Sequence, residues 1–310
     1  MKVNAHKEPK PIRLGVVGFG KVGTICAEAL LESKDQVLAG IVRRLDSLAQ
    51  ALPDAFGKIP IVSHVAQVHH VDGALLCVPM AQVLDTAHDC LQHSIPIVES
   101  SVLHGDAFHA HRDAIHRLAI RYDVPAIVGA GWDPGALSVV RFLFALLAPE
   151  GDIETKHRVA GSLHHTAMAR QVIGVKEALC TELLAANGTR QRYVYVELEK
   201  GVDADRVAQA IRADPLFLGE ETLVFPVDSV TALEQEGRGV VLERRSAPGS
   251  SGHQRFLFEA RFDDSLQTAH MMLAAARALP GLEPGAHSFL DLPLSALWGE
   301  QGHNVERAWL

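Results

Sequence analysis

Three glycines near the start of the chain have the spacing of a phosphate-binding turn. Gly18, Gly20 and Gly23 lie in "GFGKVG", after the mostly apolar run 12–17 and before an apolar pattern with a helical period. In such a unit the first glycine permits the tight turn, the second lets the backbone approach a pyrophosphate, and the third allows close packing of helix on strand. The helix N-terminus also attracts negative charge. We predict a dinucleotide site whose contacts in this segment are Gly18, Gly20, Lys21, Val22 and Gly23.

The end of the next predicted strand distinguishes between the two nicotinamide cofactors. NAD sites usually have Asp or Glu at this place, which accepts a hydrogen bond from the ribose 2′-hydroxyl. In "QVLAGIVRR" the place is taken by Arg43 and Arg44. Guanidinium groups suit a 2′-phosphate, whereas two positive charges have no anionic partner in NAD. We therefore predict NADP. The alternative is that both arginines are ordinary surface charges, with Asp46 nearby.

Three later strand ends fall on the same predicted rim. The short apolar runs "DGALLCVP", "IPIVES" and "PAIVGAG" alternate with helical patterns, which indicates a parallel sheet with ligands at the carboxyl ends of its strands. The residues at these ends are Val78 and Pro79, Glu99 and Ser100, and Gly131, Trp132 and Asp133. We expect them to face the crevice of the glycine loop, with Val78 and Pro79 as further cofactor contacts.

The bend "VGAGWDPGALS" carries an aromatic ring and a carboxylate between a predicted strand and a predicted helix. Trp132 at the rim is expected to wall a pocket, and packing in the core is its alternative. Asp133 has a strong alternative to a catalytic role. An Asp just before a proline at a helix start is a natural N-cap, which explains Asp133 and Pro134 without any chemistry.

Composition excludes several classes of function. The net charge of -8 argues against nucleic acid as a partner, because phosphate binding needs a basic surface. No apolar run approaches about 18 residues, and the first residues lack an apolar stretch, so we expect no membrane association and a cytoplasmic protein. The 4 cysteines are scattered, which predicts reduced thiols. The 17 histidines show no metal-binding spacing, so we expect no metal site.

The length of 310 residues predicts two interlocked domains. The first half predicts a Rossmann-type, doubly wound α/β domain over residues 1–131, with the helix in "SLQTAHMMLAAARAL" and the irregular tail, about 265–310, packing back on it. Residues 132–264 read as a second α/β domain with a mainly antiparallel sheet. Its predicted strands are "IETKHRVAG", "RYVYVELEKG", "ETLVFPV", "GVVLERR" and "RFLFEARF", and its predicted helices span about 175–186 and 203–212.

Several stretches together resemble the NADP-dependent meso-diaminopimelate dehydrogenases, over nearly the full length. They are "LGVVGFGKVG", "GWDPGALS", "AGSLHHTAMARQVIGVKEAL", "VELEKGVDADRVAQAIRADPLFLG" and "GAHSFLDLPLSALWG". The glycine loop is generic, whereas the "GWDPG" bend combined with the "HT…R…GV" segment is specific. The resemblance implies a Rossmann domain, an α/β substrate domain, a homodimer, and reversible oxidative deamination of the D-configured centre of an amino acid.

The resemblance also implies roles for individual residues. Arg192 falls where the family keeps an arginine for the substrate carboxylate, and Trp132, His165 and Thr166 match positions at the family's substrate. The chain departs from the family pattern elsewhere. The departures are Val83 for an acidic residue, Glu99 for Asp, Leu163 for Gln, Ala167 for Asp and Glu182 for Thr. An unpaired buried ammonium or carboxylate is costly, so we expect a substrate less polar at its far end than meso-diaminopimelate.

The resulting hypothesis is an oxidoreductase in which Glu99, Trp132 and Asp133 are the catalytic candidates. Glu99 or Asp133 would orient the reacting amine or the hydrolytic water, and Glu99 is preferred. One alternative is another NADP-dependent oxidoreductase of similar architecture, such as a sugar dehydrogenase, although "VESSVLHGD" lacks the lysine expected there. A second alternative is a non-catalytic NADP sensor, which the lost polar contacts favour and Arg192 argues against.

Overall fold

The computed structural model describes residues 10–48, 52–157, 163–184, 190–219, 221–235, 239–246 and 254–301. The chain divides into two compact units. Unit 1 comprises residues 1–139 and 265–310, and unit 2 comprises residues 140–264.

Unit 1 is built on one parallel sheet of seven strands. The strands are β1 (Ile12–Val17), β2 (Gln36–Val42), β3 (Ile61–Val62), β4 (Gly73–Leu76), β5 (Ile97–Glu99), β6 (Pro125–Val128) and β13 (Gly285–Ser288), in the order β13-β6-β5-β4-β1-β2-β3. Because the order reverses beside β1, a crevice opens between the carboxyl ends of β1 and its neighbour β4. The predicted crevice therefore lies where the glycine loop follows β1.

Helices cover both faces of this sheet. They are α1 (Lys21–Glu32), α2 (Met80–Gln92), α3 (Gly105–Tyr122) and α8 (Asp264–Ala276). On one face Leu14 and Val16 of β1 share a core with α1 and α8, and on the other face Val17 shares a core with α2 and α3. Successive side chains of a strand point to opposite faces, so the apolar residues of β1 serve both cores. The predicted doubly wound domain is confirmed.

The C-terminal tail contains a strand that the sequence did not indicate. β13 pairs in parallel with β6, with Gly285 opposite Pro125 and Ser288 opposite Val128. Its four residues, "GAHS", have no β-branched or aromatic member, so local propensity gives no strand signal. Pairing with the sheet edge creates this strand, and the prediction of an irregular tail was wrong at this point.

Unit 2 contains two three-stranded sheets and the helices that cover them. One sheet has the order β12-β11-β7, and the other has the order β10-β9-β8. The strands are β7 (Gly151–His157), β8 (Val175–Leu184), β9 (Arg190–Leu198), β10 (Glu221–Val227), β11 (Gly239–Ser246) and β12 (Arg255–Arg261). The helices are α4 (Leu137–Leu147), which contains the unit boundary, α5 (Leu163–Arg170), α6 (Ala204–Ala213) and α7 (Val230–Gln235). All strand pairs are antiparallel except β9 with β10, so the mainly antiparallel character is confirmed.

The predicted helix over about 175–186 is wrong, because residues 175–184 form strand β8. The segment "VKEALCTELL" is rich in helix formers, but it pairs with β9 along its length. Ala178 and Cys180 enter the core under α5 and α6, whereas Leu179 packs on the opposite face with Tyr193. A strand covered on both faces loses the alternation of apolar and polar residues that marks strands in a sequence.

No helix among the described residues is long and apolar enough to cross a membrane. Within the same residues, no group of three or more His, Cys, Asp or Glu side chains is arranged to hold a metal ion. All four cysteines are free thiols.

Candidate functional site

A cleft of about 640 Å³ lies at the carboxyl ends of β1, β2 and β4 in unit 1. Its lining residues are Gly18, Phe19, Gly20, Lys21, Val22, Arg43, Arg44, Ser47, Leu76, Cys77, Val78, Pro79, Gln82 and Ser100. Eight of the nine predicted cofactor contacts are in this set. The ninth, Gly23, lies in the first turn of α1 and is buried.

The three glycines of the loop meet different constraints. Gly18 has φ +93°, and a Cβ there would lie 2.5 Å from the carbonyl oxygen of Cys77. A Cβ at Gly23 would lie 2.1 Å from the carbonyl oxygen of Gly18, so only glycine permits this helix to approach its strand. A Cβ at Gly20 would meet no atom within 4 Å. Gly20 is the N-cap of α1, so the N–H groups of the first turn, which have no acceptor within the helix, lie at the cleft.

The two arginines both line the cleft, at the end of β2. The guanidinium carbon of Arg43 lies 5.7 Å from the ring centre of Phe19, a cation–π distance. Arg44 lies 3.7 Å from the carboxylate of Asp46, and both of these side chains are largely exposed. A weak exposed ion pair leaves the guanidinium available to a stronger anion such as a phosphate.

Six lining residues were not among the predicted cofactor contacts. They are Phe19, Ser47, Leu76, Cys77, Gln82 and Ser100. The sequence could have indicated Phe19, because it stands between two glycines of the loop. Ser47 and Gln82 had none, because a short helical turn after Arg44 and the first turn of α2 bring them to the cleft. The thiol of Cys77 is hydrogen-bonded to Cys26, and this bond together with burial holds the pKa of Cys77 well above its usual range.

The bend after β6 is compact. Gly129 has φ +66°, and a Cβ there would lie 2.8 Å from Cε2 of Phe108. The Asp133–Pro134 peptide is cis. Asp133 has an extended backbone, with φ -135° and ψ 116°, which matches the backbone of an N-cap residue. Its carboxylate lies 3.9 Å from Nε2 of His104 at the start of α3, and Trp132 is half-buried beside it.

Glu99 occupies a different environment from the one expected of a substrate contact. Its side chain is fully buried at the end of β5, and it is not among the residues that line the cleft. Its carboxylate accepts hydrogen bonds from the backbone N–H groups of Ser101 (2.7 Å) and Gly129 (2.8 Å) and from the hydroxyl of Ser101 (3.0 Å). These bonds commit the carboxylate to the backbone. The expected contact of Glu99 with the reacting amine or water stays a prediction.

In unit 2 the predicted substrate residues lie on α5, which carries His165 and Thr166, and on β9, which carries Arg192. Arg192 is buried on β9, on the face that contributes Val194 to the core beneath α5 and α6. Thr166 on α5 accepts a hydrogen bond from the backbone N–H of Cys180 at 2.9 Å. Burial raises the pKa of the Cys180 thiol to about 11, and the nearby charge of Arg192 opposes this increase.

Thr166 and Arg192 therefore both lie close to Cys180. His165 packs edge to face on Phe217, with ring centres 5.3 Å apart. Ala167 is exposed. The side chains of Leu163 and Glu182 lie outside the described part of the chain, although the backbone of Glu182 pairs opposite Arg192.

Comparisons with known sequences find relatives along nearly the whole chain. The meso-diaminopimelate D-dehydrogenase of Bacteroides fragilis is 33% identical over 285 residues, which cover 92% of this chain and 94% of the relative. The enzyme of the same name from Ureibacillus thermosphaericus is 24% identical, over 92% of this chain and 95% of the relative. A family model described as "NADP oxidoreductase coenzyme F420-dependent" matches residues 13–98.

Solved structures agree on the fold. The DAP dehydrogenase of C. glutamicum in complex with DAP aligns with a TM-score of 0.64 at 23% identity, over 97% of this chain and all of that one. An engineered D-amino acid dehydrogenase bound to NADP+ aligns with a TM-score of 0.62, also at 23% identity, with the same coverage of both chains.

Proposed function

Because the chain belongs to the meso-diaminopimelate D-dehydrogenase family, we propose that it is an NADP-dependent oxidoreductase acting on the D-configured amino centre of an amino acid. In the oxidative direction the amino acid, NADP+ and water give the 2-oxo acid, ammonia, NADPH and a proton. The reverse reaction uses the same groups. The observation that carries the proposal is the cleft of unit 1, where the glycine loop and both arginines line one space.

The residues of the cleft fit the cofactor. Gly20 leaves open space beside the N-terminus of α1, which suits a pyrophosphate, and Arg43 and Arg44 suit a 2′-phosphate. Val78 and Pro79 complete the wall at the end of β4. When bound, NADP supplies the acceptor or donor of the hydride. The protein contributes orientation and electrostatics.

On the substrate side, Arg192 binds the carboxylate of the amino acid, since a guanidinium group pairs with a carboxylate through two hydrogen bonds. Its buried position on β9, near enough to Cys180 to oppose the rise in the pKa of that thiol, supports this role. Trp132 limits the pocket, and Asp133, whose carboxylate lies beside His104, orients the amine or water. We propose a substrate whose far end is less polar than that of meso-diaminopimelate, because Leu163 and Ala167 replace polar family residues.

Two measurements test the proposal in sequence. Fluorescence titration of the purified protein with NADPH and NADH is expected to give tighter binding of NADPH. NADP reduction is then assayed with D-amino acids and meso-diaminopimelate, and NADPH oxidation with 2-oxo acids and ammonia. Turnover of an apolar D-amino acid above meso-diaminopimelate is the expected result. If the protein binds NADPH but turns over no compound of the panel, the hypothesis of a non-catalytic NADP sensor replaces that of an enzyme.

We also propose a homodimer formed through unit 2. One face of α4 exposes Phe142, Leu143, Leu146 and Leu147, each at least half exposed. The opposite face of the helix packs on the sheet β12-β11-β7, where Phe144 contacts Phe256 with ring centres 5.6 Å apart. Contiguous exposed apolar side chains on a folded protein mark interaction surfaces. A second copy of the chain is the partner that the family resemblance supports.

A further inference from the structure

The rim of unit 1 holds a buried carboxylate that does not touch the cofactor cleft. We propose that Glu99, assisted by His111, is a positioning residue that fixes the bend 129–133 and so holds Trp132 and Asp133 in one arrangement. The inference deepens the proposed function and rests on it, since it concerns how the same site is held.

Glu99 ties two segments of backbone together, the end of β5 with the loop that follows it and the bend 129–133. Through its side chain it accepts hydrogen bonds from the N–H groups of Ser101, in the loop after β5, and Gly129, at the start of the bend. Through its main chain, its carbonyl accepts the N–H of Ala130 at 2.8 Å. Hydrogen bonds from N–H groups to an ionised carboxylate are among the stronger ones in proteins. One residue therefore fixes the bend to the end of β5 at two successive positions.

The face of α3 next to the bend adds three further contacts. His104, Phe108 and His111 are spaced i, i+4 and i+7, so they lie on one side of the helix and its N-terminal boundary. Nε2 of His111 lies 3.5 Å from the Glu99 carboxylate, and the ring of Phe108 occupies the space beside Gly129. Nε2 of His104 lies 3.9 Å from Asp133. Side chains of α3 and its N-cap thus lie next to Glu99, next to Gly129 at the start of the bend, and next to Asp133 at its end.

Stability alone does not explain a buried acidic group at this place. The side chains of Glu99 and His111 are 0% and 7% exposed. Burial of a charge costs several kcal/mol, and apolar replacements of buried pairs are often neutral or stabilising. Directional hydrogen bonds fix the position of the bend relative to the loop after β5, which apolar packing alone does not do. Displacement of a reacting group by about 1 Å can reduce a rate roughly 100-fold.

The test uses the full chain in a background that leaves Trp132 as the single reporter. The sequence has 3 tryptophans, so Trp298→Phe and Trp309→Phe leave only Trp132. In this background Glu99→Gln keeps the size of the side chain but replaces one acceptor oxygen by an NH2 group, which faces a backbone donor. We expect a change in the emission maximum and the acrylamide quenching of Trp132.

Kinetic measurements accompany the fluorescence. For Glu99→Gln we expect kcat to fall roughly 10- to 100-fold, because Trp132 and Asp133 would no longer be held in the arrangement that the reaction needs. The Kd for NADPH should stay unchanged, since Glu99 does not line the cleft. Glu99→Asp, which keeps the charge, should restore part of kcat. His111→Gln should change Trp132 emission in the same direction as Glu99→Gln and by less.

A matched control separates positioning from general stability. Asp35 is a carboxylate of unit 1 that pairs with Arg277 at 2.6 Å, outside the bend and the cleft. Asp35→Asn should lower Tm while kcat and Trp132 emission stay at the values of the reporter background. If Glu99→Gln behaves like Asp35→Asn, with a lower Tm but unchanged emission, quenching and kcat, the positioning role is overturned.

The proposed function and this inference fail in different ways. If the protein turns over no amino acid, the proposed function fails, and the emission and quenching of Trp132 still decide whether Glu99 fixes the bend. If Glu99→Gln does not fold, Glu99→Asp and His111→Gln carry the same readouts. Unchanged Trp132 emission in both of those variants would refute the inference.

Discussion

At the scale of single residues, Arg43 and Arg44 give the sharpest test of cofactor choice. Both line the cleft, and each charge-assisted hydrogen bond to a phosphate is worth about 1.5–3 kcal/mol. We expect the double variant Arg43→Ala with Arg44→Ala to bind NADPH about 100-fold more weakly or worse, with little change for NADH. Fluorescence titration with both cofactors measures the difference.

Arg117→Ala provides the control for this experiment, because Arg117 is an exposed arginine of α3 outside the cleft. It should leave both affinities unchanged. Equal losses of NADPH and NADH affinity in the double variant would mean that the arginines support the loop instead of reading the 2′-phosphate. A loss confined to NADPH is the result that the cleft predicts.

A second residue-scale prediction concerns acid stability. Hydrogen bonds from the Arg277 side chain hold the pKa of Asp35 below its usual value, and they join the turn between α1 and β2 to the end of α8. Because the pKa of Asp35 is lower in the folded than in the unfolded protein, its ionised form adds to the free energy of unfolding. This contribution is complete above the unfolded pKa of about 3.9 and is lost as the pH falls through the lower folded pKa. Asp35→Asn should therefore cost about 1 kcal/mol near neutral pH.

Urea unfolding at neutral pH and below about pH 3 measures this difference. The two proteins should differ at neutral pH and converge in acid, where the wild-type carboxyl is protonated as well. A difference that stays constant over the whole pH range would assign the loss to packing and not to the charge of Asp35.

At the scale of elements, the sequence predicted the strands and helices that have a local pattern, and it missed two strands that form only by pairing with a neighbour. The strand, loop and helix around Gly18 were readable because each glycine has a local reason. β8 was read as a helix because "VKEALCTELL" contains strong helix formers, and only its partner β9 makes it a strand. β13 was missed because "GAHS" has no strand propensity apart from the edge of β6.

The candidate site shows the same limit. The order of strands placed Val78, Pro79 and Ser100 at the crevice, since all strand ends of a parallel sheet share one rim. Glu99 shares that rim position, but its side chain turns into the protein toward Gly129. The direction of a side chain at a strand end depends on its neighbours in space. The sequence therefore placed Glu99 at the rim but did not indicate the direction of its side chain.

The bend itself supplies an element-scale prediction. Gly129 has φ +66°, and the nearest atom to an added Cβ would be 2.8 Å away on the ring of Phe108. A non-glycine residue in this conformation costs about 1–3 kcal/mol, before the contact is relieved. Gly129→Ala should lower the free energy of unfolding by at least this amount in urea titrations.

Gly281→Ala is the matched control for the bend, because Gly281 lies in unit 1 with no atom within 4 Å of an added Cβ. It should change the free energy of unfolding by about 0.5 kcal/mol or less. Similar losses in the two variants would show that the backbone conformation at Gly129 is not the cause.

At the scale of the whole molecule, the exposed face of α4 predicts the oligomeric state. Phe142 and Leu146 are 56% and 61% exposed and lie one helical turn apart. Replacing them by Phe142→Glu and Leu146→Lys creates an i,i+4 ion pair that supports the helix, while it places two charges on the apolar face. We expect sedimentation to show a dimer for the wild type and a monomer for this variant.

The control applies the same chemistry to an exposed helix of unit 1. Met80 and Leu84 on α2 are 37% and 42% exposed and have the same i,i+4 spacing. Met80→Glu with Leu84→Lys should leave the dimer intact, because the effect belongs to the α4 surface and not to the change of charge. Dissociation in both variants, or in neither, would remove α4 as the interface. Since an interface of standard size buries about 800 Å² on each partner, two charges near its centre are expected to abolish association at micromolar concentration.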